Sequence, residues 1–216
     1  MRWLTFAWVG VLAACSSSPP IPDWQLNAKS ATERSVAAYL TGNARIDAAE
    51  LGRARSEIAR TGRADLLARV ELTHCAAQVA SLVYEACAGF EALRADAPAP
   101  ERAYADYLAG KLAPSDAALL PEAHRGVASN PVALGGIADP LARLVAAGVL
   151  FETKRADPSV IRTAIDTASE QGWRRPLLAW LNVELKRAEA GGAQIDADQL
   201  RRRIVIVEQQ AAATTR

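Results

Sequence analysis

Apolar residues recur along this chain with the period of a helix, and the breaks between the runs carry start and stop signals. Ser30-Ala31-Thr32-Glu33 has capping-box spacing and predicts a first helix running to Leu40, with Gly42 as its stop. Leu51, Ala54 and Ile58 share one face of a second helix that ends at Thr61-Gly62. Leu72, Cys75, Ala76, Val79, Leu82 and Val83 form one stripe and predict a third helix carried through Val83. Ala97-Pro98-Ala99-Pro100 breaks the chain, and Pro100 suits the first turn of the next helix. Asp139-Pro140 and Asp157-Pro158 each set an N-cap Asp before a Pro at the first helical position, and an apolar stripe follows each. Trp173 to Ala190 reads as a helix stopped by Gly191-Gly192, while Leu200, Ile204 and Val207 mark a last one. Prolines and glycines between Leu112 and Ile137 leave room only for short helices, and no segment alternates with period two long enough for a strand.

Composition agrees with this reading. The 216 residues are 50% apolar, 6% aromatic and 23% charged, enough for a core of ordinary size. The first residues stand apart: Arg2 precedes an uncharged, mostly apolar run from Trp3 to Ala14, the form of a secretory signal peptide. That run is too short to span the roughly 30 Å hydrocarbon core of a bilayer, so cleavage is expected.

Leu12-Ala13-Ala14-Cys15 at its end resembles the lipobox of bacterial lipoproteins. The resemblance implies that Cys15 is lipidated and becomes the first residue of the mature chain. Its two or three acyl chains, palmitate among them, suffice for stable membrane anchoring where one chain is marginal. Ser16 after the cysteine implies the outer membrane, with the body facing the periplasm. Residues 15–22, rich in Ser and Pro, read as a tether reaching roughly 22 Å. Removing Arg2 with residues 1–14 leaves 24 basic and 24 acidic residues out of 25 and 24, a balance that suggests no nucleic-acid partner. Residues 23–210 form the helical domain and 211–216 a disordered tail.

An internal repeat runs through the helices. Glu33 to Gly42 aligns without gaps on Glu101 to Gly110, sharing Glu, Arg, Ala, Tyr, Leu and Gly, and the match continues from Ala49 and Leu51 to Ala117 and Leu119. The offset of 68 is twice 34, the period of a tetratricopeptide helix pair, and the Tyr-Leu-x-Gly helix ending resembles that family's repeat. The expected fold is all-α: antiparallel helix pairs in a tetratricopeptide-like α-solenoid, the alternative being an irregular helical bundle.

Candidate chemistry is sparse. His74 and His124 lie in different segments without metal-ligand spacing, and His74 reads as a hydrogen-bonded structural histidine. No nucleophile elbow, P-loop or dinucleotide motif occurs, so neither enzyme activity nor a cofactor is expected. Asp47/Glu50 and Asp196/Asp198 read as caps and solvated faces. Cys75 and Cys87 read as a disulfide for a chain entering an oxidising periplasm, with two buried thiols as the alternative. Closing that loop requires the chain to turn back soon after Val83 and bring the Cα atoms within about 7 Å. Trp173, Arg174 and Arg175, joined to Arg201 and Arg202, form a candidate surface for an acidic peptide or glycan. The expected role is a lipid-anchored binding or scaffolding protein of the cell envelope whose partner is another envelope protein or peptide, its oligomeric state left open. The alternative is a cell-wall hydrolase or small-ligand binder with an acidic cleft.

Overall fold

A computed structural model describes residues 21–214, and the side chains of residues 21–209; the expected signal peptide, Cys15 and most of the expected tether lie outside the described residues. Ten α-helices occupy that span: α1 (Asp23–Thr41), α2 (Ala44–Ala59), α3 (Ala64–Ala80), α4 (Ala88–Glu91), α5 (Ala99–Leu108), α6 (Glu122–Ser129), α7 (Pro140–Glu152), α8 (Pro158–Glu170), α9 (Arg174–Ala190) and α10 (Gln194–Thr214). Two 3-10 segments, Pro114–Leu119 and Pro131–Gly136, flank α6. No strand occurs among the described residues, so the fold is all-α as expected. No helix among them is long and apolar enough to cross a membrane.

The helix starts follow the chemistry of the sequence. Asp139 accepts a hydrogen bond from the Ala142 amide at 2.7 Å, and Asp157 accepts from the amides of Ser159 and Val160. Other boundaries moved. Helix α1 begins at Asp23, so Ser30 to Glu33 lies inside it, where the Thr32 hydroxyl donates back to the Ala28 carbonyl instead of capping. Helix α3 stops at Ala80, short of Val83, because Leu82 takes φ 59° and the Val83 amide closes onto the Gln78 carbonyl. Helix α10 is described through Thr214, past the end placed at residue 210; the alanines of that stretch are the strongest helix formers.

Packing centres on α3, which touches α1, α2, α5 and α7. Its residues Leu72, Ala76 and Val79 meet Leu144 and Val145 of α7 in the main core, which also holds the fully buried Phe90, Leu150, Trp180 and Leu181. The indole of Trp180 donates to the Ala80 carbonyl at 3.1 Å, satisfying one of the carbonyls left open at the end of α3. Antiparallel pairing holds for α1 with α2 and for α9 with α10, joined by two- and three-residue connections. A solenoid does not follow from these contacts: α3 packs on α7 and α1 on α9, joining helices far apart in the chain, whereas solenoid units touch only their neighbours.

The sequence repeat marks a shared way of ending a helix. Tyr39 and Leu40 are buried before Gly42, and Tyr107 and Leu108 before Gly110, with the glycines at φ 84° and 68°. Beyond that point the copies diverge, since α1 leads into α2 while α5 leads into the 3-10 segment Pro114–Leu119.

The turn after α3 brings Cys87, at the start of α4, back to Cys75, and the two are bonded with Cα atoms 6.0 Å apart. Neither cysteine should react with maleimide in denatured protein until a reductant is added. Labelling of both without reductant would remove the bond from this fold.

Candidate functional site

Three hollows meet at Thr73 on the outward face of α3. The first, about 490 Å³, lies between α3, α5 and the segment entering α6, lined by Leu72, Pro100, Tyr104, Leu119, Leu120 and Pro121 with Arg69, Glu101 and Arg125. The second, about 420 Å³, lies between α1 and α3 and is lined by Trp24, Ala28, Ile58, Leu66 and Val70. The third, about 270 Å³, is walled by Val36, Ala37 and Leu40 of α1 with Leu141 and Trp173. Thr73 lines all three, Arg69 joins the first to the second, and Thr32 and Glu33 join the second to the third. The result is a row of adjoining, mainly apolar hollows built by side chains of several helices. Thr73 is free to face it because its hydroxyl donates within α3, to the Arg69 carbonyl.

Polar groups mark the first hollow. Glu101, in the first turn of α5, is 7% exposed, and its Oε1 accepts from Arg69 Nε at 2.6 Å. Its Oε2 is buried without a hydrogen-bond partner. Arg125 Nε donates to the Leu120 carbonyl at 2.8 Å.

The sequence-predicted surface separates. Arg175 Nε donates to the Tyr39 carbonyl at 2.9 Å with its guanidinium 4.2 Å from the Tyr39 ring centre, so it docks the start of α9 onto the end of α1. Arg174 reaches the Gly42 carbonyl, and Trp173 is half-buried in the third hollow. Arg201 is ion-paired with Asp198 and with Glu189, near the other end of α9. Fourteen residues separate Arg175 from Glu189, roughly 21 Å of helix, so Arg201 and its exposed neighbour Arg202 do not join the Trp173 end. Cys15 lies outside the described residues.

His74 is hydrogen-bonded, as expected, but its partner was missed. Asp47 is buried, not solvated: its Oδ1 accepts from the Ser35 hydroxyl at 2.7 Å and lies 3.0 Å from His74 Nε2. The order matters chemically. A nucleophilic serine must give its proton to the imidazole, whereas here Ser35 donates to the carboxylate, so the cluster ties α1, α2 and α3 together. Glu50, its neighbour in α2, pairs with Arg34 at 2.8 Å on the surface.

An acidic cleft exists as well. About 550 Å³ between α3, α4 and α5 is lined by Glu85, Glu91, Asp106 and Glu152, with Arg94, Lys111 and the Cys75–Cys87 bridge in its wall. Arg94 bonds both Glu91, at 2.7 Å, and Asp106, at 3.0 Å. The guanidinium holds the Glu91 carboxyl below the usual carboxylate range. A general acid needs the opposite shift. Among the described residues no cluster of three or more His, Cys, Asp and Glu side chains has the arrangement to hold a metal ion. No family model matches this chain, and no curated protein or solved structure matches it.

Proposed function

We propose that this chain is a lipid-anchored binding lipoprotein of the bacterial cell envelope, one that faces the periplasm from the outer membrane and holds an apolar peptide segment of another envelope protein. The row of adjoining hollows across α3 carries the reading. Apolar hollows in line, flanked by scattered charges such as Lys29, Glu33 and Arg69, suit successive apolar side chains of one bound segment. The Leu12 to Cys15 motif supports the anchor, and a tethered body meets its neighbours at an effective concentration that lets a modest surface suffice. In the acidic cleft Arg94 holds Glu91 and Asp106, which makes those two carboxylates structural partners rather than a general acid and base.

Crosslinking in cells tests this reading. A photo-crosslinking residue at Ala37, exposed on the groove wall, should capture a defined envelope protein, and Thr73→Trp, which fills the junction of the hollows, should abolish that capture. The same residue at Val132, 86% exposed and outside the groove, should not capture that protein. Equal capture from both positions, or capture unchanged by Thr73→Trp, would refute the groove. The anchor has a separate readout: Cys15→Ala should release the protein from membranes and end labelling by a fatty-acid analogue, and persistent labelling would refute it.

A further inference from the structure

The segment between α5 and α7 is attached differently from the helices on either side of it. It carries α6 and both 3-10 segments, and its backbone hydrogen bonds close within the segment, as from the Leu120 amide to Ala117, from Asn130 to Gly126 and from Ile137 to Leu134. Side chains hold it to the body. Leu120, His124, Val127, Leu134 and Ile137 are buried, and α6 supplies only His124 and Val127 of these. Two arginines reach it from outside: Arg143 donates to the Ile137 carbonyl, and Arg155 donates to the carbonyls of Ala128 and Ser129 at the end of α6. At its far end an added side chain at Gly135 or Gly136 would meet nothing within 4 Å, so the chain is free to bend there. The same segment walls the first hollow, where Leu119, Leu120, Pro121 and Arg125 stand with Leu72 and Tyr104 of α3 and α5.

One of the two buried side chains of α6 can gain a charge. A protonated imidazole carries N–H donors at both ring nitrogens, and the buried Nδ1 of His124 has no hydrogen-bond partner to receive one. The groups around the ring offer little compensation. From α5 come the uncharged rings of Tyr104 and Tyr107. Asp139, ahead of α7, is the carboxylate whose charge reaches the ring, and its Oδ1 already accepts from the Ala142 amide. Arg155, after α7, brings a like charge near Tyr107. Within α6, Glu122 and Arg125 are exposed, and Arg125 donates to the Leu120 carbonyl. The ring gains water for its second proton once α6 leaves α5, and nothing in α3, α7 or α9 has to unfold for that.

We infer that residues 113–137 form a strap released by acid: protonation of His124 frees α6 from α5 and swings the strap off the first hollow while the rest of the fold stays in place. Opening removes Leu119, Leu120 and Pro121 from the hollow, so a segment held there loses one wall of its site. That consequence rests on the proposed peptide binding, whereas the opening itself needs no ligand.

Hydrogen exchange of the full-length chain in detergent, scaled at each pH to the rate of an unprotected amide, reads the opening. Near pH 7 the α6 amides should exchange through an opening that low urea hardly changes and that occurs at least tenfold more often than that of the α3 amides, which follow unfolding of the whole chain. The α6 opening constant should begin to rise as pH falls below about 6.5, where a freed ring takes up its proton. With the buried ring held near 4, it should be about fiftyfold larger near pH 4.5 than near pH 7. An opening driven by carboxylates would begin to rise only near pH 4, so the native chain decides this point without a variant. His124→Phe should hold the α6 opening constant flat across the range. The inference is overturned if α6 opens only together with α3 at every urea concentration, or if its opening constant does not change with pH or rises first near pH 4. A rise in His124→Phe equal to that of the native chain overturns it as well. None of these readouts involves a ligand, so capture at Ala37 and its block by Thr73→Trp remain separate outcomes for the peptide reading.

Discussion

Gly148→Ala is expected to destabilise the fold by about 3 kcal/mol, although the same change in an open helix is favourable. Gly148 lies inside α7 where that helix crosses α3. A Cβ built there falls 2.4 Å from the Val79 carbonyl oxygen and 3.0 Å from Val79 Cγ1. Two effects compete. Alanine in place of a helical glycine gains up to about 1 kcal/mol of propensity. Overpacking costs about 1–3 kcal/mol, and more where the obstacle cannot rotate away. Here the obstacle is backbone, so α7 and α3 must separate at the centre of the core, and the carbonyl of Gly148 itself must keep its 2.9 Å hydrogen bond from the Tyr84 hydroxyl. The clash wins. A matched control has the opposite sign: Gly52, inside α2, has nothing within 4 Å of its added Cβ, so Gly52→Ala should stabilise by up to about 1 kcal/mol. Denaturant midpoints of the two variants measure both. A Gly148→Ala protein as stable as the native chain would mean that α3 and α7 are not packed backbone to backbone at this point.

Gly148 illustrates how far the sequence could be read. It sits in the stripe Leu141, Leu144, Val145, Gly148 and Val149, so its place on a buried face was legible, but the carbonyl opposite belongs to a helix some seventy residues earlier. The Asp-Pro starts of α7 and α8 were legible because caps are local. The end of α3 was not: Leu82 and Val83 continue the apolar spacing while a leucine takes the left-handed conformation usually left to glycine. The groove was hidden for the same reason as the core contact, since its walls come from segments that share a face only after folding. Glu33 and Glu101 show this most directly. They hold the same place in the repeat, yet the Glu33 side chain is 65% exposed beside Lys29, while Glu101 is buried against Arg69. A pattern assigns residues to faces; what stands opposite each face decides whether a carboxylate is a solvated charge or a buried partner of an arginine.

Acidification should unfold this protein partly through His124, and the size of the effect follows from its surroundings. His124 is 3% exposed, packed among the rings of Tyr104 and Tyr107 at 5.5 and 5.1 Å between centroids, and its Nδ1 has no hydrogen-bond partner. Burial pushes its imidazolium pKa down to about 4, against a smaller opposing pull from Asp139. Its position in the first turn of α6 adds to the cost of a positive charge, because the amides at a helix start are themselves partly positive. In the unfolded chain the ring takes up its proton near pH 6.5. Between that value and about 4 the unfolded state therefore binds more protons than the folded one, so stability rises with pH across this window and is lost as pH falls through it. A depression of this size corresponds to about 3 kcal/mol once the folded ring is forced to protonate. His124→Phe keeps an aromatic side chain among the tyrosines and removes the titration. Comparing denaturant midpoints near pH 7 and near pH 4.5, the native chain should lose about 2 kcal/mol more than the variant, because at pH 4.5 most of the window has been crossed. Equal losses in both proteins would show that His124 is not held neutral by the fold, and a greater loss in the variant would mean that the ring is stabilised in its charged form.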